Sequence, residues 1–238
     1  MEPTQPQTIP QPTQSSPRGL MPVGELFKKS FEMYKKQFWV FAELACINLL
    51  VFLALIPVVG ILGILFFAAH RNITAGLLLL CVFLAAVAVV IAVAWWARTA
   101  VLYVIKDRDS NPTAKAMLKK SWPMLGSYSW VYVLVALALL VGFVVFIIPG
   151  IIFMVWFVFA GYVFLWEGKK GTQALMASKE LVKGYWWAIF GRLLLIMLIA
   201  CIISLLQLLG TLINLFVTIP FTAVYLYCIY ADLKRLKG

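Results

Sequence analysis

The chain has 238 residues, 64% of them hydrophobic and only 12% charged, with a mean hydropathy of +0.99 and a formal net charge of +11. An average soluble domain is roughly a quarter charged, so a single water-soluble core is excluded. Cys46, Cys81, Cys201 and Cys228 lie in apolar runs without CxxC spacing, and His70 is the single histidine, which argues against a disulfide framework, a metal centre or any other cofactor site.

Residues 1–22 carry six prolines among Gln, Thr and Ser and read as a disordered polar tail rather than a cleavable signal peptide. Everything from 23 to 238 reads as one transmembrane domain. Apolar runs such as Leu77 to Ala97, Trp130 to Ile148 and Trp186 to Leu209 reach the ~20 residues a helix needs to cross a hydrocarbon layer about 30 Å thick. They do not alternate as barrel strands would, and a helix satisfies its own backbone in lipid. The expected fold is therefore an all-α polytopic bundle of six spans, at 38–57, 76–98, 128–148, 150–167, 186–209 and 211–231. Val58 to Ala69, apolar but short and following Pro57, is expected to be a re-entrant or outer-surface segment.

The basic residues orient the bundle. Nineteen of the twenty Lys and Arg residues fall before span one, around the even-numbered connections or at the C-terminus; Arg71 is the exception. The positive-inside rule then places both termini in the cytoplasm of a multi-pass plasma-membrane protein, bacterial or archaeal. Basic and aromatic residues interleave only at membrane interfaces, so nucleic acid is not an expected partner.

A unit recurs on Ser30, Ser121 and Ser178. Phe27, Leu118 and Leu175 stand three residues before the serine, Tyr34, Leu125 and Val182 four after, and Trp39, Trp130 and Trp187 nine after. The two apolar offsets share a helix face. Lys28, Lys29, Lys35 and Lys36 surround the first copy, Lys115, Lys119 and Lys120 the second, and Lys179 and Lys183 the third. This spacing predicts three amphipathic helices on the cytoplasmic surface, with the apolar face in the headgroup boundary, lysines toward anionic lipid and tryptophan at the interface. The serines read as small surface residues. Each unit continues into a helical hairpin, the first two turning at Pro57 with Gly60 and at Pro149 with Gly150, and the third near Gly210 and Thr211.

Ile148-Pro149-Gly150, the Glu167 to Gly171 loop and the Ala174 to Ser178 helix leading to Lys183-Gly184 make Ile147 to Lys183 resemble the membrane domain found beside some glycerophosphodiester phosphodiesterases and the related YciC-like bacterial inner-membrane proteins. The resemblance implies an all-helical membrane domain without catalytic residues, since the phosphodiesterase activity belongs to a separate domain that this chain does not match.

Glu43 is the one acidic residue placed inside a span, and Arg192 lies at similar depth in the fifth, so the two are expected to pair across helices, with Arg98 as the competing partner. No cluster of His, Asp and Glu suggests catalysis. The expected function is a non-enzymatic membrane protein, lipid-associated or scaffolding, whose partners are anionic membrane lipids and other membrane proteins. The alternatives are a transporter of a lipid or small amphipathic solute and, less favoured, a lipid-headgroup enzyme. The sequence does not fix the oligomeric state.

Overall fold

A computed structural model describes residues 19–68 and 73–237. The tail expected over 1–22 falls mostly outside them, as do His70 and Arg71. The described residues form helices α1 (Val23–Lys36), α2 (Phe38–Ala68), α3 (Ile73–Lys106), α4 (Ala114–Ser121), α5 (Leu125–Val145), α6 (Ile147–Phe157), α7 (Ala160–Glu167), α8 (Thr172–Val182), α9 (Trp186–Ser204), α10 (Gln207–Ile213) and α11 (Ile219–Lys237), with no strand among them. Six helical segments are long and apolar enough to cross a membrane: Phe38–Leu65, Gly76–Lys106, Ala114–Val145, Ile147–Glu167, Trp186–Ser204 and Leu209–Lys237.

The hairpin turns differ from expectation. Pro57 and Gly60 do not reverse the chain; α2 runs through both to Ala68, so Val58 to Ala68 extends the first span instead of re-entering. Proline removes one backbone donor, which a long helix survives. The second reversal is at Phe146, a single extended residue between α5 and α6. Pro149 lies in the first turn of α6, where its missing N–H is not needed. Gly150 serves packing: a Cβ there would stand 2.5 Å from the Phe143 ring, and one at Gly142 would stand 3.0 Å from the Gly150 Cα. Absent side chains thus let α5 and α6 close on each other. The third reversal is at Leu205 and Leu206, before α10.

The short helices pack on spans rather than lying free. In α1, Leu26, Ser30 and Tyr34 recur four apart and are buried, while Glu25 in the first turn and Lys35 and Lys36 in the last suit the helix dipole. This helix runs antiparallel to α11, with Phe27 against Phe221 and Tyr225. Likewise α4 packs on α3, and α8 on α6 and α7. All three repeated serines are fully buried, not at the surface.

Two of these helices mend breaks in the spans they touch. Between α6 and α7 the helical ladder opens, and the Ser178 hydroxyl enters it, accepting from the Phe159 N–H at 3.2 Å and donating to the Trp156 carbonyl at 2.6 Å. Ahead of α11 the chain forms a π-helical turn, Asn214–Thr218, and Pro220 cannot donate to the Phe216 carbonyl four residues back. The Tyr34 hydroxyl donates to that carbonyl instead, at 3.1 Å. Burial pushes the Tyr34 phenol above its ordinary pKa, keeping the donor proton in place. The third serine, Ser121, accepts from the Trp96 indole at 3.1 Å and so ties α4 to α3.

Candidate functional site

The basic helices divide into free and engaged lysines. Lys28, Lys29, Lys35 and Lys36 on α1 and Lys115 and Lys119 on α4 are exposed and make no ion pair among the described residues. Lys120 pairs with Asp107, Lys183 lies 3.8 Å from Glu180, and Lys179 sits 4.4 Å over the Trp156 ring. The tryptophans of the repeat, Trp39, Trp130 and Trp187, are exposed, as is Trp122. The apolar faces of α1, α4 and α8, expected in the headgroup boundary, instead cover the spans, because a packed protein surface buries Leu26, Met117 and Leu175 more completely than a bilayer edge. What remains outward is the lysine face.

Glu43 and Arg192 are not brought together. Glu43 is exposed in a groove of about 1130 Å³ between α2, α3 and α4, with Trp39, Trp96, Lys115, Lys119 and Trp122. Arg192 is buried beside the segment before α1, where Nη2 donates to the Met21 carbonyl at 2.6 Å while Nη1 has no hydrogen-bond partner. The Met21 N–H in turn donates to Asp232 at 2.7 Å, and Asp232 also holds Arg235 at 2.8 Å. Arg192 is thus spent on closing the segment before α1 onto α9 and α11. Its acceptor is a backbone oxygen, which no residue pattern marks.

Arg98, the expected competitor, pairs with neither Glu43 nor any other carboxylate among the described residues. It lies in α3 where two cavities meet. One, of about 410 Å³, is lined by Trp95, Tyr128, Tyr132, Tyr162, Asn214 and Thr218 among others. The other, of about 730 Å³, runs between α2, α3 and α10 and is apolar apart from Asn48, Thr211, Asn214 and Arg98. Arg98, Val101, Asn214 and Ile219 border both. Tyr128, Tyr132 and Tyr162 line the smaller cavity together with Arg98.

The termini of the spans are knitted by polar contacts at the end where the basic residues gather. Glu167 accepts from Tyr230 at 3.0 Å and Lys234 at 3.1 Å and pairs with Lys169 at 2.8 Å, while Lys106 donates to the Leu165 carbonyl at 2.6 Å. Arg108 donates to the Tyr227 hydroxyl at 2.8 Å; that bond holds its pKa above the usual arginine value. No group of three or more His, Cys, Asp or Glu residues gathers at metal-binding distance among the described residues.

Fold and sites together define a polytopic, all-helical membrane protein with six candidate spans. Compared with family models, curated proteins and solved structures, the chain finds no match.

Proposed function

We propose that this is a non-enzymatic membrane protein that gathers anionic lipid along its basic end, with both termini in the cytoplasm of a bacterial or archaeal plasma membrane. The observation that carries the reading is the set of six exposed, unpaired lysines on α1 and α4 beside exposed Trp39 and Trp122. Lysines held on packed helices form a fixed array, and each Lys near an anionic leaflet contributes about 1 kcal/mol of attraction. The chain is read as three copies of one unit, an amphipathic helix followed by a hairpin. In this reading α4 docks on the outgoing span of the first hairpin, α8 on that of the second, and α1 closes the ring on that of the third. The resemblance of Ile147 to Lys183 to non-catalytic membrane domains belongs to the same proposal.

Transport of an amphipathic solute is the second reading, favoured by the cavities between helices that meet at Arg98. The test of the first uses reconstituted protein in bilayers of brominated phosphatidylglycerol or brominated phosphatidylcholine, reading quenching of the interfacial tryptophans. The wild type should be quenched more strongly in the anionic bilayer at low salt. Replacing Lys28, Lys29, Lys35, Lys36, Lys115 and Lys119 with Gln should abolish that preference. An unchanged preference would overturn the reading.

A further inference from the structure

We infer that the two cavities meeting at Arg98 form one binding site for an anionic lipid, its charged head against the guanidinium and an acyl chain in the apolar cavity between α2, α3 and α10. The site goes beyond the interfacial array proposed above and does not involve the exposed lysines.

Among the described residues Arg98 is the only charged one lining either cavity, and no carboxylate faces it. Unpaired arginine inside a membrane protein is costly and normally has a partner. In this chain Arg192 is the contrasting case, buried and held by one bond to a carbonyl, although its Nη1 has no partner. Arg98, an exposed residue within the apolar span, has cavity on both sides of it instead.

Three buried polar atoms without a hydrogen-bond partner, Trp95 Nε1, Asn214 Oδ1 and Thr218 Oγ1, belong to residues lining the 410 Å³ cavity. Native proteins rarely leave such groups unmade, because each costs about 1–3 kcal/mol. The indole and the threonine hydroxyl are donors, so with the guanidinium they offer three donors to one ligand. Carboxylate or phosphate oxygens satisfy that set; an ammonium head does not. Asn214 Nδ2 already donates to Ser204 at 2.9 Å, which fixes its oxygen as the one acceptor left for a protonated or hydroxyl group on the ligand.

Geometry supplies the chain. The apolar cavity touches α2 from Phe41 to Ile56 and α3 from Val101 back to Val90. At 1.5 Å per residue the α2 wall alone is about 22 Å long. Both walls lead away from the end where α1 and α4 gather, the direction in which an acyl chain leaves its headgroup. Leu53, Ile56 and Leu212, on this cavity's wall, are exposed on the bundle surface, so the slot opens toward lipid tails. A small inorganic anion would leave the apolar part without a role.

The experiment uses the full chain in a neutral detergent, titrated separately with dibromostearate, brominated phosphatidylglycerol and brominated phosphatidylcholine. Tryptophan quenching, with Trp95 as the reporter in the cavity wall, gives affinity, and native mass spectrometry gives stoichiometry. One saturable anion per chain is expected, with phosphatidylcholine weaker. Arg98→Met should weaken the anion at least about tenfold, a loss of one polar anchor, and Arg98→Lys should recover part of it. Ala94→Phe, which fills the apolar cavity and leaves Arg98 in place, should also weaken binding, whereas the six-lysine variant should bind like wild type. Binding of the fatty acid alone, of phosphatidylglycerol alone or of both supports the site and identifies the source of the head. Equal affinity in Arg98→Met and wild type, or phosphatidylcholine binding as tightly as the anions, overturns it. Should Arg98→Met fail to fold, Ala94→Phe and the wild-type headgroup comparison decide the question.

Discussion

Arg192 and Arg98 sit in the two halves of one bundle and meet opposite fates. Around Arg192 the structure is closed: α1 lies along α11, the segment before it is clamped by Arg192 and Asp232, and Tyr34 reaches across to the Phe216 carbonyl. Around Arg98 it is open, with cavities on both sides of the guanidinium and a first hairpin whose helices are scarcely buried, 0% of the apolar stretch in α3 and 12% in α2 against 17% in the span of Arg192 and 33% in that of Asp232. A charged residue inside an apolar span therefore has two physical uses. Where a donor is bonded to backbone, as Arg192 Nη2 is, it holds helices together, and where the guanidinium borders a cavity it is available to a ligand.

The closed half is the place to break this contrast most severely. Arg192→Met removes the donor to the Met21 carbonyl and the positive neighbour of buried Asp232, and should cost about 3 kcal/mol, as when one partner of a buried charged contact is deleted. Chemical unfolding of the detergent-solubilised protein checks this. Arg98→Met in the same assay should lie within about 1 kcal/mol of wild type, because it breaks no bond in the structure. Equal losses at the two positions would erase the distinction.

Ser178→Ala is the next step down. The variant strips partners from both the Phe159 N–H and the Trp156 carbonyl in a helix already interrupted there. About 2 kcal/mol should be lost, the cost of leaving buried backbone groups unmade. Ser30→Ala gives the internal control. Ser30 donates to the Leu26 carbonyl one turn back in its own helix and lies beside Cys228, and its loss should cost about 0.5 kcal/mol. Hydrogen exchange at Phe159 should rise in the first variant and stay unchanged in the second.

Much of the closed half is unreadable in the sequence for identifiable reasons. The six spans are legible because lipid demands long, internally bonded apolar helices, and such runs leave little else to assemble. Ser178 is half legible: it lies between two apolar positions seven apart, so its face is marked as apolar, but its backbone partners are not marked at all. For Arg192 the depth in the span can be read and the partner cannot, since a main-chain carbonyl at Met21 carries no side-chain signal; Glu43 is the nearest pattern and the wrong one. Tyr34 likewise answers the gap left by Pro220 by reaching Phe216, 182 residues away in the chain, and only the docking of α1 on α11 brings them together. Arg98 reads in the sequence only as an alternative partner for Glu43. Its cavity is made by gaps between helices, and gaps leave no pattern in a sequence.

The smallest effect belongs to the open half and bears on the hairpin turns. If Pro57 and Gly60 reversed the chain, Gly60 would use a backbone freedom that a Cβ forbids, and Gly60→Ala would destabilise. In the structure Gly60 lies within α2, and no atom stands within 4 Å of the place a Cβ would take there. Alanine should then fit and stabilise by about 0.5 kcal/mol through its better helix propensity. Gly150→Ala is the matched contrast, because its Cβ would meet the Phe143 ring at 2.5 Å and should cost about 1–3 kcal/mol. A gain at Gly60 with a loss at Gly150 would mean that α5 and α6 are tightly apposed while the far end of α2 is loosely held. Loosely held helices are what a cavity for an exchanging lipid requires, since the slot beside Arg98 must part for the chain to enter. Losses at both sites would instead put a tight turn in the first hairpin, just beyond Ile56, where the α2 wall of the acyl slot ends.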